Sequence, residues 1–114
     1  MVEFAITLPV VRGKQDSLKY LSGLLSDRKR KEFQVSRQRL GINREIWFFE
    51  SSMRGDTLII YQEGEGAQKS FVAWVESQDP FDVWLKDQMK EITGIDFAPP
   101  APESTPSPLL KYPF

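Results

Sequence analysis

The chain has 114 residues, 27% of them charged, and a formal net charge of −1. That length makes one domain, and the balance excludes both a disordered polyelectrolyte and a nucleic-acid field over the chain as a whole. Cysteine and histidine are both absent, which removes disulfides, thiol nucleophiles, the commonest general base and the commonest transition-metal ligand; no metal site and no bound cofactor is expected.

Val2, Phe4, Ile6, Leu8 and Val10 alternate with Glu3, Ala5 and Thr7, a period of two that predicts a first strand with one strongly apolar face. Pro9 and Arg12-Gly13 end it, and a helix follows near Lys14 to Ser17, with Asp16 or Ser17 as cap. Leu18, Leu25, Phe33 and Leu40 recur at close to two helical turns, widened by Leu21, and predict one long helix, kinked or straight, from about Asp16 to Leu40. Gly41 followed by Ile42 suits a left-handed cap. The run Arg28-Lys29-Arg30-Lys31, with Arg37, Arg39 and Arg44, is read as a solvated helix face; no aromatic residues are interleaved as single-strand binders need, so nucleic acid is disfavoured as a partner.

Two runs rich in aromatic and β-branched residues follow, Arg44 to Glu50 and Thr57 to Glu63, joined by a Gly-containing loop; they predict an antiparallel hairpin. Neither run alternates cleanly. Ile46 and Phe48 point to one side and Trp47 and Phe49 to the other, while Leu58 and Ile60 oppose Ile59 and Tyr61. Both faces are therefore apolar and both need a cover.

After Gly64 to Gly66, Phe71, Val72 and Val75 predict a short helix over Ala67 to Glu76. Asp79-Pro80 is a restart signal, with Asp82 near the positive end of the dipole. Phe81, Trp84, Leu85, Gln88, Met89 and Ile92 then predict an amphipathic helix stopped by Gly94. Residues 1–98 make the α+β domain. Residues 99–108, with Pro99, Pro100, Pro102, Pro106 and Pro108, predict an extended arm, and the apolar end 109–114 predicts a docked segment or edge strand.

The order strand, helix, strand, strand, split helix and final strand is the βαββαβ pattern of a ferredoxin-like domain, with helices on one face of an antiparallel sheet. Leaving about five large side chains of the other face in water would forgo on the order of 10 kcal/mol of gross burial. A second copy packed face to face about a two-fold axis supplies that cover, so a homodimer through the sheet face is expected.

With the Pro9 to Lys14 turn feeding a long helix, the aromatic hairpin, and Ser77-Gln78-Asp79-Pro80-Phe81-Asp82 opening the last helix, residues 2 to about 93 resemble the dimeric α+β-barrel group of ferredoxin-like proteins. That group includes the antibiotic-biosynthesis monooxygenases and a branch of small proteins of unassigned role. The resemblance implies a dimeric α/β barrel. Where relatives often carry histidine before the proline and again in the helix, this chain has Asp79, then Lys86 and Gln88, so no catalytic residue is transferred.

With histidine and cysteine gone, strand carboxylates such as Glu3, Glu50 and Glu63 are the acid–base groups left to face a cavity. Trp47, Tyr61 and Glu63 are the pocket candidates, and the group resembled uses aromatic-lined cavities for cofactor-independent oxygenation. Two functions stand: a dimer binding a small, mostly apolar molecule, as a monooxygenase-like enzyme or as a binder, and a non-catalytic interaction module using the basic helix or the Pro-rich arm. The opening residues lack a basic and apolar leader and no stretch is long enough to span a bilayer, so a cytoplasmic protein with no membrane partner is expected.

Overall fold

The computed structural model describes residues 2–102 and 104–114. In chain order it contains β1 (Glu3–Val10), α1 (Gln15–Ser26), α2 (Arg30–Arg39), β2 (Arg44–Ser52), β3 (Gly55–Glu63), α3 (Ala67–Glu76) and α4 (Pro80–Thr93). The three strands form one antiparallel sheet in the order β1-β3-β2, so the class is α+β.

The expected long helix is two. Steps of seven residues hold an apolar stripe in phase, but the step of eight from Leu25 to Phe33 swings it by about 80° on a straight helix. The break at 27–29 absorbs that swing: the Leu24 carbonyl accepts from both Asp27 (3.2 Å) and Lys29 (2.7 Å), and α2 starts afresh at Arg30. Splitting the helix also spreads the four adjoining positive charges across a turn. Lys14, not Asp16 or Ser17, precedes α1, and no side chain caps it.

The other helix signals are met in detail. Asp79 accepts from the Phe81 amide at 3.0 Å with Pro80 in the first turn, and Gly94 ends α4 at φ 74. After α2, Gly41 at φ 77 donates to Gln38 O and Ile42 donates to Arg37 O, the double bond of a left-handed cap, which carries Ile42 into the interior. Against this cap sits the β3–α3 turn. A Cβ on Gly66 would lie 2.3 Å from Leu40 O and one on Gly64 2.2 Å from Gly41 O, so main chain meets main chain.

All four helices lie on one face of the sheet. Leu8, Leu58 and Ile60 from the strands meet Leu21, Leu85, Met89 and Ile92 from the helices, with Phe97 closing the end against Trp74 (5.3 Å between ring centroids). The register puts Ile6, Ile60 and Trp47 in one row on this covered side, and Thr7, Ile59 and Phe48 in a row on the other. Among the described residues no helix covers that second side, and Phe48 remains 51% exposed.

The expected final strand is absent among the described residues. Residues 109–114 are irregular, with Leu109, Leu110, Tyr112 and Phe114 all strongly exposed. Pro106 and Pro108 before it and Pro113 within it each remove an amide donor, which weakens any ladder this stretch could build. The segment is tethered instead by Lys111 Nζ, 3.0 Å from Glu3 Oε2. Among the described residues, no helix is long and apolar enough to cross a membrane.

Candidate functional site

The three pocket candidates fall on opposite sides of the sheet. Trp47 pairs with Ile60 and faces the helices, whereas Tyr61 and Glu63, two apart on β3, share the uncovered face. They cannot line one cavity.

On the uncovered face, Glu3 and Glu63 are directly opposed across β1 and β3, an arrangement that repels unless countered. Two cations counter it. Arg44 NH1 approaches Glu63 Oε2 at 3.5 Å, and Lys111 reaches Glu3. Tyr61 donates its hydroxyl to the same Glu63 oxygen at 2.8 Å. That bond, then burial and the charges of Glu63 and Glu3, raise the Tyr61 pKa above its ordinary value against the opposing pull of Arg44. Tyr61 is thereby held as a protonated donor. The arm runs beside these residues and leaves an open recess of about 740 Å³, lined on the sheet by Ala5, Tyr61 and Glu63 and on the arm by Pro106, Pro108, Leu110 and Tyr112. A volume of that size falls in the range of small-molecule sites.

On the covered face, Trp47 belongs to a buried polar network the sequence reading did not name. Glu45 accepts from Trp47 Nε1 at 2.7 Å and from Gln62 Nε2 at 2.8 Å, and Arg37 Nε lies 2.9 Å away. Arg37 NH1 also donates to Ser36 Oγ, and Ser36 donates to Asp82 Oδ1 at 2.6 Å. Asp82, fully buried, further accepts from Ser77 (2.6 Å) and pairs with Arg39 (2.9 Å). Burial alone would raise the Asp82 pKa, but the bonds from Ser36, Ser77 and Arg39 outweigh it and hold the carboxyl below its ordinary value. The period of two contained the signal for Glu45 and Gln62, since they stand in phase with Trp47 and Ile60. Beside this network a cavity of about 30 Å³, lined by Phe71, Trp74 and Trp47 among others, has room for about one water. Trp74 Nε1 is buried there without a partner.

The basic run is largely engaged within the chain. Arg28 donates to Tyr20, Lys29 lies over the Trp84 ring at 5.1 Å, and Arg37, Arg39 and Arg44 each meet a carboxylate. Glu50 stands exposed on the uncovered face, opposite Thr57. No group of three or more metal-ligating side chains comes together among the described residues. Comparison with family models, with curated proteins and with solved structures gives no match in any of the three.

Proposed function

We propose that the protein is a homodimeric ferredoxin-like domain that binds a small, mostly apolar molecule between its Pro-rich arm and the face of its sheet away from the helices. The observation carrying this reading is the recess of about 740 Å³ over Tyr61 and Glu63. Its walls are proline, leucine and tyrosine, and its floor offers one oriented hydroxyl and two partly neutralised carboxylates, which suits an apolar body with one polar group. The first five elements of the βαββαβ order are supported by the strand order and connectivity, each helix being a broken pair. The dimer is supported by the remaining half of the same face. Phe48 lies exposed beyond the arm with half-buried Ile46 and Ile59 on the same face, and a second copy would complete their cover.

Two measurements test the reading. Sedimentation velocity at micromolar concentration should give a dimer for the native chain and a folded monomer for Phe48→Lys. A thermal-shift screen with small apolar metabolites should find compounds that raise the melting temperature of the native protein but not of Tyr61→Ala. Uniform silence across the screen would favour a second reading, a non-catalytic interaction module. That reading draws on the exposed Leu109, Leu110, Tyr112 and Phe114 at the arm's end, and under it removal of residues 99–114 abolishes partner capture while leaving the dimer intact.

A further inference from the structure

The outer edge of β2 carries a feature that the small-molecule reading does not use. Gly64 donates to the Val2 carbonyl at 2.9 Å, so the even-numbered residues of β3 bond to β1 and the odd-numbered ones to β2. Across the second ladder, Ile46 and Phe48 turn their main chain inward, and Glu45, Trp47 and Phe49 turn theirs outward. No other strand meets those outward groups among the described residues. A nine-residue strand with a free edge is a template for another strand unless it is blunted. β2 contains no proline.

Two hollows lie along this edge on the helix side, between β2 and the α1–α2 pair. One, of about 230 Å³, is mostly apolar and is formed by Leu25, Phe33 and Trp47 with two serines and Glu45 at its margin. The other, of about 660 Å³, is polar and holds Arg30, Arg37 and Arg44 against Glu45. Of β2's residues, Trp47 lines the first hollow and not the second, whereas Glu45 lines both; the two side chains lie two residues apart on one face of the strand. Alternate side chains of an added strand are spaced by about 6.8 Å, so successive same-face residues would fall one into each hollow. Arg37 and Arg44 already have carboxylate partners, but exposed Arg30 has none among the described residues. The polar hollow therefore carries an excess of positive charge.

We propose that the free edge of β2 is a peptide-docking site. Its occupant is an extended, acidic segment of another protein that adds antiparallel to β2 and presents an apolar side chain to the Trp47 hollow. Two residues later the segment presents a carboxylate to Arg30. Main-chain bonds to Glu45, Trp47 and Phe49 supply affinity and the two hollows supply selectivity, the division of labour seen wherever a sheet edge accepts a strand.

The test is an NMR titration of the full chain with threonine-rich heptapeptides blocked at both ends. One carries leucine followed two residues later by glutamate, and the other has lysine in place of the glutamate. The glutamate peptide should slow amide exchange at Glu45, Trp47 and Phe49 and leave Ile46 and Phe48 unchanged, since those two are already bonded. The lysine peptide should bind about tenfold more weakly or worse, and Arg30→Glu should reverse that preference. Phe49→Pro, which removes an outward donor at a tolerant edge position, should abolish binding; Arg30→Glu serves as the independent variant should the proline disturb the strand. The proposal is overturned by absence of binding at millimolar peptide, by equal affinity for the two peptides, or by binding that leaves the three amides exchanging freely. It is also overturned if those amides are as protected as Ile46 and Phe48 without peptide, because a second copy or another part of the chain then occupies the edge.

Discussion

The two faces of the β2–β3 hairpin both carry large apolar residues and meet opposite fates. On the helix side, every large strand residue near the centre is packed, and the polar groups that enter are tied to one another: Glu45 to Trp47 and Gln62, Asp82 to Ser36, Ser77 and Arg39. On the other side, Tyr61 faces a proline-rich arm across an open recess, and Ile46, Phe48 and Ile59 lie beyond that arm. Hydrophobicity alone thus does not decide which face of a strand becomes core. The connections decide it, because both helical pairs cross on the same side.

The sharpest break between the faces comes from neighbours on β3. Leu58→Ala, at a position only 1% exposed, should cost about 3–4 kcal/mol in urea denaturation. Ile59→Ala should cost about 1 kcal/mol where the face is bare, and more, in a concentration-dependent way, where a partner covers it. Equal costs independent of concentration would erase the distinction. Next in size, Asp82→Ala should lose about 3 kcal/mol, because Ser36 and Ser77 are left without their acceptor.

Acid extends the comparison. Asp82 has its carboxyl depressed in the folded state, so its stabilising contribution is present above the unfolded aspartate value of about 3.9 and is lost as pH falls through the lower folded value. Asp82→Asn should accordingly flatten the acid limb of the stability curve, and an unchanged limb would remove the role assigned to this carboxylate. The smallest effect concerns Tyr61 on the open side. Its raised pKa should appear in an ultraviolet titration as a tyrosine ionising above the ordinary value, and Glu63→Gln should lower that midpoint. The sign is opposite to that of Asp82: the Tyr61–Glu63 bond favours the fold at neutral pH and weakens as pH rises past the ordinary tyrosine value of about 10.

Much of the fold was legible in the residues. The hairpin, the two split C-terminal helices, the Asp79 cap and the Gly41 cap each depend on chemistry within a few positions of the chain, and the structure has each of them. The division of α1 from α2 was legible only as a kink, because the phase slip between Leu25 and Phe33 reads as tolerance until packing forces a break. The tail's apolar residues predict a docked segment or an edge strand; the strand is absent among the described residues, and Lys111 ties the segment to Glu3. The site was half legible. Tyr61 and Glu63 share a surface, as expected of residues two apart, but Trp47 lies in the opposite phase across the ladder from them. Glu45 goes unnamed and Asp82 reads only as a first-turn carboxylate, because a lone carboxylate in sequence looks like surface. Only tertiary placement shows that Arg37, Arg39, Ser36 and Ser77 converge on them.

Where the α2 cap touches the β3–α3 turn, Gly41, Gly64 and Gly66 bring peptide planes together with no room for a side chain. The first strand–helix half of the chain and the second are therefore fastened by a joint that reads backbone shape alone. Helices on either side are free to change their surfaces through evolution or engineering, while this joint is fixed: any side chain there acts as a wedge that separates the halves, and redesign of the domain has to begin by leaving it alone.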